Sequence, residues 1–109
     1  MSDMTHDEQH AQSFRVLCAE INAWQSETFP HATVESKAEH LRREVEKELR
    51  HDPSDPDEIA DCLMLLIGIC GKLDLDPMRI LRCKLEINKN RRWGEPDADG
   101  VVEHIRETT

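Results

Sequence analysis

The sequence predicts an all-α protein, a bundle of four antiparallel helices, and three observations support this fold class. Apolar residues recur at spacings of three and four in four separate segments, which is the period of an amphipathic helix. Short breaks rich in Pro and Asp separate these segments, and short connections favour antiparallel neighbours. The long apolar–polar alternation typical of a β-sandwich is absent from the 109 residues. We therefore expect one helical domain over residues 1–109, with its core at about residues 7–93 and a tail over 94–109.

The first two helices are predicted from their apolar stripes. The first is expected from about Asp7 to Glu27, ended by Pro30, and the second from about Val34 to Arg50. The apolar positions are Phe14, Leu17, Cys18, Ile21 and Trp24 in the first helix and Ala38, Leu41, Val45 and Leu49 in the second. Each set lies on one face, so we expect both helices to pack with that face against the core.

The third helix is predicted to begin after the turn-rich break over residues 51–56 and to end near Leu73. Asp55 is expected to cap it, Pro56 fits its first turn, and Glu58 stands where the acid of a capping box lies. This helix is apolar nearly all round, which is typical of a central helix or a subunit interface. Four short helices bury little alone, so we expect a second copy of the chain to cover it, in a homodimer or homotetramer.

The fourth helix is predicted to be capped by Asp76, to start at Pro77 and to end near Trp93 and Gly94. It carries a concentrated positive charge, since residues 79–92 hold six basic side chains and one acid. The remainder of the chain is acidic, and the net charge is −9. An acidic chain of this kind is a poor ligand for the phosphate backbone of nucleic acids, so we expect no nucleic-acid partner.

The composition also favours a cytoplasmic protein. The longest apolar run, residues 62–70, is too short for a membrane helix, and the first 20 residues carry no basic apolar leader. We therefore expect no membrane partner and a reducing compartment. The four cysteines have no close C-x-x-C spacing and are expected to be small buried apolar residues: Cys18, Cys62, Cys70 and Cys83.

Four carboxylates on the second and third helices form a candidate metal site. Glu58 and Asp61 are three residues apart and share one helix face, and Asp61 directly precedes an apolar run, where an unpaired carboxylate is costly. Glu44 and Glu48 are four apart, whereas Glu46 points to another face. If the two helices pack antiparallel, the two pairs converge. Converging carboxylates need a divalent cation between them, and their hard oxygen atoms suit Mg²⁺ or Mn²⁺.

A second interpretation of these carboxylates needs no metal. In it, Glu58 only caps its helix, Asp61 pairs with Arg42 or Arg43, and the acids of the second helix are surface charges. The spacing alone leaves both interpretations open.

A stripe of polar residues on the fourth helix favours the metal site. Lys84, Asn88 and Arg91 stand at i, i+4 and i+7, on one face of that helix. Cations hold a polyanion and an amide can bind a sugar or base edge, so a metal cluster facing this stripe suits a phosphate ester. The flanking basic residues are expected to be solvated: Arg79, Arg82, Lys89 and Arg92.

Several blocks of the sequence, in this order, carry a family resemblance. They are WQSETF (residues 24–29), HLRREVE (40–46), DEIADCLMLL (57–66), KLEINKNRRWG (84–94), PD (96–97) and GVVEHI (100–105). Together they resemble the MazG-like all-α nucleoside triphosphate pyrophosphohydrolases, and most closely the dATP/dGTP diphosphohydrolase-like branch. The resemblance implies a Mg²⁺-dependent reaction, NTP + H₂O → NMP + PPi, with dATP and dGTP as the favoured substrates.

The resemblance also implies an E-x-x-E helix and an E-x-x-D helix that bind the metal. Glu58 and Asp61 match the second motif, and Glu44 matches the leading acid of the first. The position three residues after Glu44 is Lys47, however, and Glu48 follows one residue later. We expect Glu44, Glu58 and Asp61 to be catalytic ligands, Glu48 to be the fourth ligand, and Glu44 to act as general base.

The substrate-binding residues implied by the resemblance are Lys84, Asn88 and Arg91, and the candidates for stacking on the base are Trp24, Phe29 and Trp93. Two other functions remain open. The first is a nucleotide-binding homologue without catalysis, in which Lys47 weakens metal binding. The second is a helical interaction module. A di-iron carboxylate bundle is disfavoured because the acids lack Glu-x-x-His partners.

Overall fold

The computed structural model describes residues 3–106, and its regular structure is helical, as predicted. It contains α1 (His6–Thr28), α2 (Val34–Glu44), a π-helical turn (Val45–Leu49), α3 (Pro56–Lys72) and α4 (Pro77–Lys89). Within the described residues the extended pairing amounts to one isolated antiparallel bridge, between Trp93 and His104. The all-α prediction is therefore confirmed.

Helices α1 and α2 each begin with a capping box. Thr5 Oγ1 accepts from the Glu8 backbone N–H, and the Thr5 N–H donates to Glu8 Oε2. Thr33 and Ser36 exchange the same pair of hydrogen bonds at the start of α2. Because the first N–H groups of a helix have no partner within it, these side chains fix where each helix starts.

Asp55 caps α3 and Pro56 occupies its first turn, as predicted. The Asp55 side chain accepts from the Asp57 backbone N–H at 2.9 Å. The capping box expected with Glu58 does not form, because the Asp55 N–H donates to the Asp52 carbonyl instead. The Glu58 carboxylate is thus not used as a cap.

The prediction of one continuous α-helix from Val34 to Arg50 is wrong over its last turn. The segment Val45–Leu49 is π-helical, and the Arg50 N–H donates to the Val45 carbonyl at 2.9 Å, five residues back. A π turn holds one residue more per hydrogen-bonded ring than an α turn. It therefore changes the angular positions of the residues that follow Glu44.

The end of α3 is closed by a Schellman motif. The Leu75 N–H donates to the Cys70 carbonyl at 2.9 Å, and the Asp74 N–H donates to the Gly71 carbonyl at 3.3 Å. Asp74 occupies the left-handed position of the motif, with φ of 55°. Glycine is the usual residue there, so Asp74 carries a local conformational strain.

Helix α4 starts as predicted and ends earlier than predicted. Asp76 Oδ1 accepts from the Met78 N–H at 3.0 Å, and Pro77 is the first helical residue. The helix ends at Lys89 instead of near Trp93 and Gly94.

The tail after α4 forms a short irregular hairpin. The Gly94 N–H donates to the Glu103 carbonyl at 2.9 Å, and the Ile105 N–H donates to the Arg92 carbonyl at 2.8 Å. Gly100, with φ of 79°, supplies the turn. The last residues of the predicted tail, 107–109, lie outside the described part of the chain.

The chain divides into two compact units, Met1–Met78 and Arg79–Thr109. In the first unit α3 packs against both α1 and α2, which agrees with the first of the two positions predicted for it, a central helix or a subunit interface. The buried apolar residues of the described chain are Cys18, Cys62 and Leu65. All four cysteines are free thiols, but the prediction that all are buried holds only for Cys18 and Cys62, since Cys70 is half-buried and Cys83 is exposed.

Helix α3 also keeps an exposed apolar face. Ile59, Leu63 and Leu66, spaced by four and three residues, are 41%, 53% and 46% exposed. No helix among residues 3–106 is long and apolar enough to cross a membrane.

Candidate metal and nucleotide site

Three of the four carboxylates predicted from the sequence lie together. One oxygen atom from each of Glu44, Glu58 and Asp61 lies within 4.8 Å of the others. Glu44 is the last residue of α2, and the other two stand in the first turns of α3. Because α2 packs on α3, the end of one helix meets the beginning of the next. We call these three residues the acidic cluster.

The charges around Glu58 fit a divalent cation. Burial raises the pKa of Glu58, and the neighbouring carboxylates raise this pKa further, in the order Glu48, Asp55, Asp61 and Glu44. Several ionised carboxylates thus repel one another around Glu58. A cation with hard oxygen ligands would relieve that repulsion, and the donor set consists of carboxylate oxygens alone. The residues present therefore fit Mg²⁺ or Mn²⁺.

The arginines proposed as alternative partners of Asp61 are used elsewhere. Arg42 Nε and Nη2 donate to Glu39 at 2.9 and 2.8 Å, and Arg43 Nε donates to Glu39 at 3.1 Å. These two cations hold the pKa of Glu39 at about 2. The expected pairing of Asp61 with Arg42 or Arg43 is therefore wrong.

Glu48 lies outside the acidic cluster but close to it. It stands on the π turn, and it comes first among the neighbouring charges that raise the pKa of Glu58. Glu46 of the same turn is directed to Arg50, whose Nη1 donates to Glu46 Oε2 at 3.2 Å. The two acids of the π turn thus have different neighbours, which agrees with the different faces predicted for them.

His40 is a neighbour of the acidic cluster, and no role for it was predicted from the sequence. Its Nε2 lies 3.3 Å from Glu44 Oε1, at i and i+4 on α2. The two side chains are therefore in contact on one face of α2. The i, i+4 spacing of a histidine and a candidate ligand was the one signal that pointed to it.

An aromatic cavity of about 170 Å³ adjoins the acidic cluster. Trp24 and Phe29 meet edge to face there, with ring centroids 5.5 Å apart. The remaining lining residues are Gln25, His40, Glu44, Asp61, Met64 and Leu65. Trp24 is half exposed, at 50%, so its ring is accessible to a ligand in this cavity. The structure therefore places Trp24 beside two members of the cluster.

The polar residues predicted on the fourth helix lie in the second unit and are arranged differently than expected. Lys84 and Asn88 belong to α4, but Arg91 follows the end of the helix, so the three do not form one helical stripe. Arg91 nevertheless contacts Asn88, since its Nη1 donates to Asn88 Oδ1 at 3.3 Å. A cation and an amide therefore remain adjacent.

Trp93 is held by hydrogen bonding and by an aromatic contact. Its Nε1–H donates to the Asn88 carbonyl at 2.9 Å, and its ring meets His104 edge to face at 6.0 Å. Burial lowers the pKa of His104, and Arg91, Arg106 and Lys84 lower this pKa further. His104 thus lies beside candidate binding residues, and no role for it was predicted from the sequence.

Comparison with known proteins identifies relatives of the chain. The family model described as dATP/dGTP pyrophosphohydrolase matches residues 17–109. A curated relative, the dATP/dGTP diphosphohydrolase of Cyanophage S-2L, is 32% identical over 93 residues, which cover 82% of this chain and 85% of the relative.

A solved structure agrees with this result. It is the Cyanophage S-2L MazG-like pyrophosphohydrolase bound to dGDP and three catalytic Mn²⁺ ions per active site. The similarity covers 84% of this chain and 96% of that chain, with a TM-score of 0.73 and 33% identity. The fold described above is therefore the MazG-like fold.

Proposed function

Because the chain belongs to the dATP/dGTP pyrophosphohydrolase family, we propose that it hydrolyses dATP and dGTP to the deoxynucleoside monophosphate and pyrophosphate. The observation that carries this proposal is the acidic cluster of Glu44, Glu58 and Asp61 beside an aromatic cavity. Such a pairing suits a substrate with a phosphate chain at one end and a planar base at the other. The dGDP and Mn²⁺ bound to the solved relative agree with it.

The cofactor we propose is Mg²⁺, with Mn²⁺ able to replace it. Glu44, Glu58 and Asp61 would hold the ion, with Glu48 as the fourth ligand. When bound, a divalent cation would neutralise phosphate charge and lower the pKa of the attacking water. Glu48 is included because it adds to the negative charge around Glu58.

We propose that the π turn accounts for the departure from the E-x-x-E pattern. In an α-helix, an acid placed four residues after Glu44 is turned by about 100° from the position three residues after it. The π turn that starts at Val45 accommodates one more residue than an α turn. We infer that it brings Glu48 to the side of Glu44 where the family acid stands, so Lys47 does not replace a ligand.

Glu44 is the residue that we assign as general base. Its Oε1 contacts His40 Nε2 at 3.3 Å, and His40 would orient the carboxylate. From there Glu44 would take a proton from the water that attacks the α-phosphorus, while pyrophosphate leaves. His40 acts through Glu44 and is therefore a positioning residue.

We propose separate roles for the residues that bind the nucleotide. Trp24 would stack on the base in the cavity that it lines with Phe29. Lys84 and Arg91 would neutralise phosphate groups, and Asn88 would bind the sugar or base edge.

We further propose that the protein is a homo-oligomer, a dimer or tetramer. The described chain buries few apolar side chains completely, and α3 keeps Ile59, Leu63 and Leu66 exposed along one face. A second copy that covered this face would remove it from water.

The site assignment is tested by two substitutions on the same π turn. Glu48→Gln is expected to lower dATP turnover by about 100-fold or more and to weaken Mn²⁺ binding in parallel, because it removes a charged ligand. Glu46→Gln is the matched control, since Glu46 pairs with Arg50. Turnover is measured by pyrophosphate release and Mn²⁺ binding by electron paramagnetic resonance. Equal behaviour of the two variants would refute the assignment of Glu48.

A further inference from the structure

The first unit contains a second polar cavity that shares only Gln25 with the aromatic cavity. Its volume is about 120 Å³, and Lys37 and Lys72 line it together with the neutral side chains of Asn22, Gln25 and Ser26. No carboxylate is among its lining residues in the described chain. We call it the Lys37 cavity.

Lys37 is buried without an acidic partner. It is 5% exposed, and its Nζ donates to Gln25 Oε1 at 2.5 Å. Gln25, which is 4% exposed, donates in turn from Nε2 to the Met64 carbonyl at 2.8 Å. Among residues 3–106 no ion pair involves Lys37 or Lys72. An ammonium has three donors, so the contact with a neutral amide leaves donor capacity for a ligand.

The charge balance of the cavity favours a negative ligand. Burial lowers the pKa of Lys37, and the charge of Lys72 lowers it further. A buried cation next to a second cation is costly unless an anion accompanies it. Lys37 also lies in the first turns of α2, where the helix dipole disfavours a cation. A bound anion would offset the cost of each of these effects.

Two glycines on α3 keep the wall of the cavity open. A Cβ atom on Gly68 would overlap Gln25 Oε1 and would lie 3.2 Å from Lys37 Nζ. A Cβ atom on Gly71 would overlap the Asn22 side-chain amide. Side chains at these two positions would therefore displace the polar groups that line the cavity.

We propose that the Lys37 cavity is a binding site for a small inorganic oxyanion of the phosphate type. Lys37 and Lys72 supply the positive charges, and Asn22 and Ser26 supply neutral hydrogen bonds. The site does not include the acidic cluster, and it does not depend on the activity proposed above.

The experiment is a calorimetric titration of the metal-free protein with inorganic phosphate, in the presence of EDTA. We expect wild type to bind one phosphate per chain and Lys72→Met to weaken this binding by about tenfold or more, because a charged hydrogen bond is lost. Lys72 is exposed, so its removal leaves the core intact. Lys37→Met is expected to abolish the binding.

Two controls separate this site from general charge effects. Arg50→Met removes one positive charge from an exposed position, and phosphate affinity should stay at the wild-type value. Lys84→Met removes a candidate nucleotide-binding residue and should also leave it unchanged. The proposal is overturned if wild type does not bind phosphate, if Lys72→Met binds it as tightly as wild type, or if either control variant weakens binding as much as Lys72→Met.

Discussion

At the scale of single residues, the partners of each charge decide which carboxylates remain available to a metal. Arg42 and Arg43 both bind Glu39, and Arg50 binds Glu46. Glu44, Glu58 and Asp61 keep oxygen atoms close together without an arginine or lysine partner in the described chain. A sequence pattern shows which residues share a helix face, but it does not show which cation forms an ion pair with which acid. For this reason the spacing alone left two interpretations of Asp61 open.

Asp74 provides a prediction about stability. It occupies a left-handed conformation with φ of 55°, which costs an ordinary residue about 1 kcal/mol and glycine almost nothing. We therefore expect Asp74→Gly to raise the free energy of unfolding by about 1 kcal/mol. The measurement is urea denaturation followed by circular dichroism. Asp74→Ala is the control, because alanine keeps the Cβ atom and pays at least the same conformational cost. A gain in Asp74→Ala as large as in Asp74→Gly would contradict the explanation.

His104 provides a prediction about pH. Burial and the charges of Arg91, Arg106 and Lys84 lower its pKa below 6.5. Below pH 6.5 the unfolded chain takes up a proton that the folded chain does not, so this residue's contribution to stability decreases as the pH falls towards the lowered pKa. An NMR titration of the His104 ring should give a pKa below 6.5. A value above 6.5 would mean that these cations do not surround the imidazole in solution.

At the scale of secondary structure, the π turn is the element that the sequence did not reveal. The apolar stripe of the second helix continues through Val45 and Leu49, so periodicity predicts an α-helix to Arg50. The irregularity was indicated only by the extra residue between Glu44 and Glu48 relative to the E-x-x-E motif. The capping residues, in contrast, were predictable, since Asp55, Pro56, Asp76 and Pro77 act through local chemistry.

A deletion tests the interpretation of the π turn. Without Lys47, Glu44 and Glu48 stand three residues apart, and the segment can continue α2 as a regular α-helix. We expect this variant to keep Mn²⁺ binding and dATP hydrolysis, because Glu48 stays on the same side of the helix as Glu44. Loss of both in a protein that keeps its helical circular dichroism would contradict the interpretation.

The matched control is the deletion of Ala60 from α3. That helix is regular, so the deletion turns Asp61 by about 100° away from Glu58. We expect it to abolish metal binding. If the deletions of Lys47 and Ala60 have the same effect, the π turn does not compensate for an extra residue.

The end of α4 shows a different limit of sequence reasoning. Apolar and basic residues continue the helical period beyond Lys89, but the chain turns there, and Trp93 pairs with His104. The hydrogen bonds that hold this hairpin join residues about ten positions apart, such as Gly94 to Glu103. Periodicity describes local spacing and has no information about such pairs. The proximity of His104 to the candidate binding residues was missed for the same reason.

At the scale of the whole molecule, the net charge and its distribution along the chain were informative together. The net charge of −9 disfavours a nucleic-acid partner, but the charge is unevenly distributed. Part of the negative charge forms the acidic cluster in the first unit, and the second unit carries Lys84, Arg91 and Arg106 near His104. An overall charge therefore describes this chain poorly, and the charge pattern of each unit is informative by itself.

The proposed reaction is hydrolysis of dATP and dGTP between the α- and β-phosphates. The direct measurement is hydrolysis of dATP with Mg²⁺ in ¹⁸O-labelled water, with the products identified by ³¹P NMR and mass spectrometry. We predict dAMP and pyrophosphate, with the label in dAMP, because water attacks the α-phosphorus. Formation of dADP and inorganic phosphate, or no hydrolysis with either Mg²⁺ or Mn²⁺, would contradict this proposal.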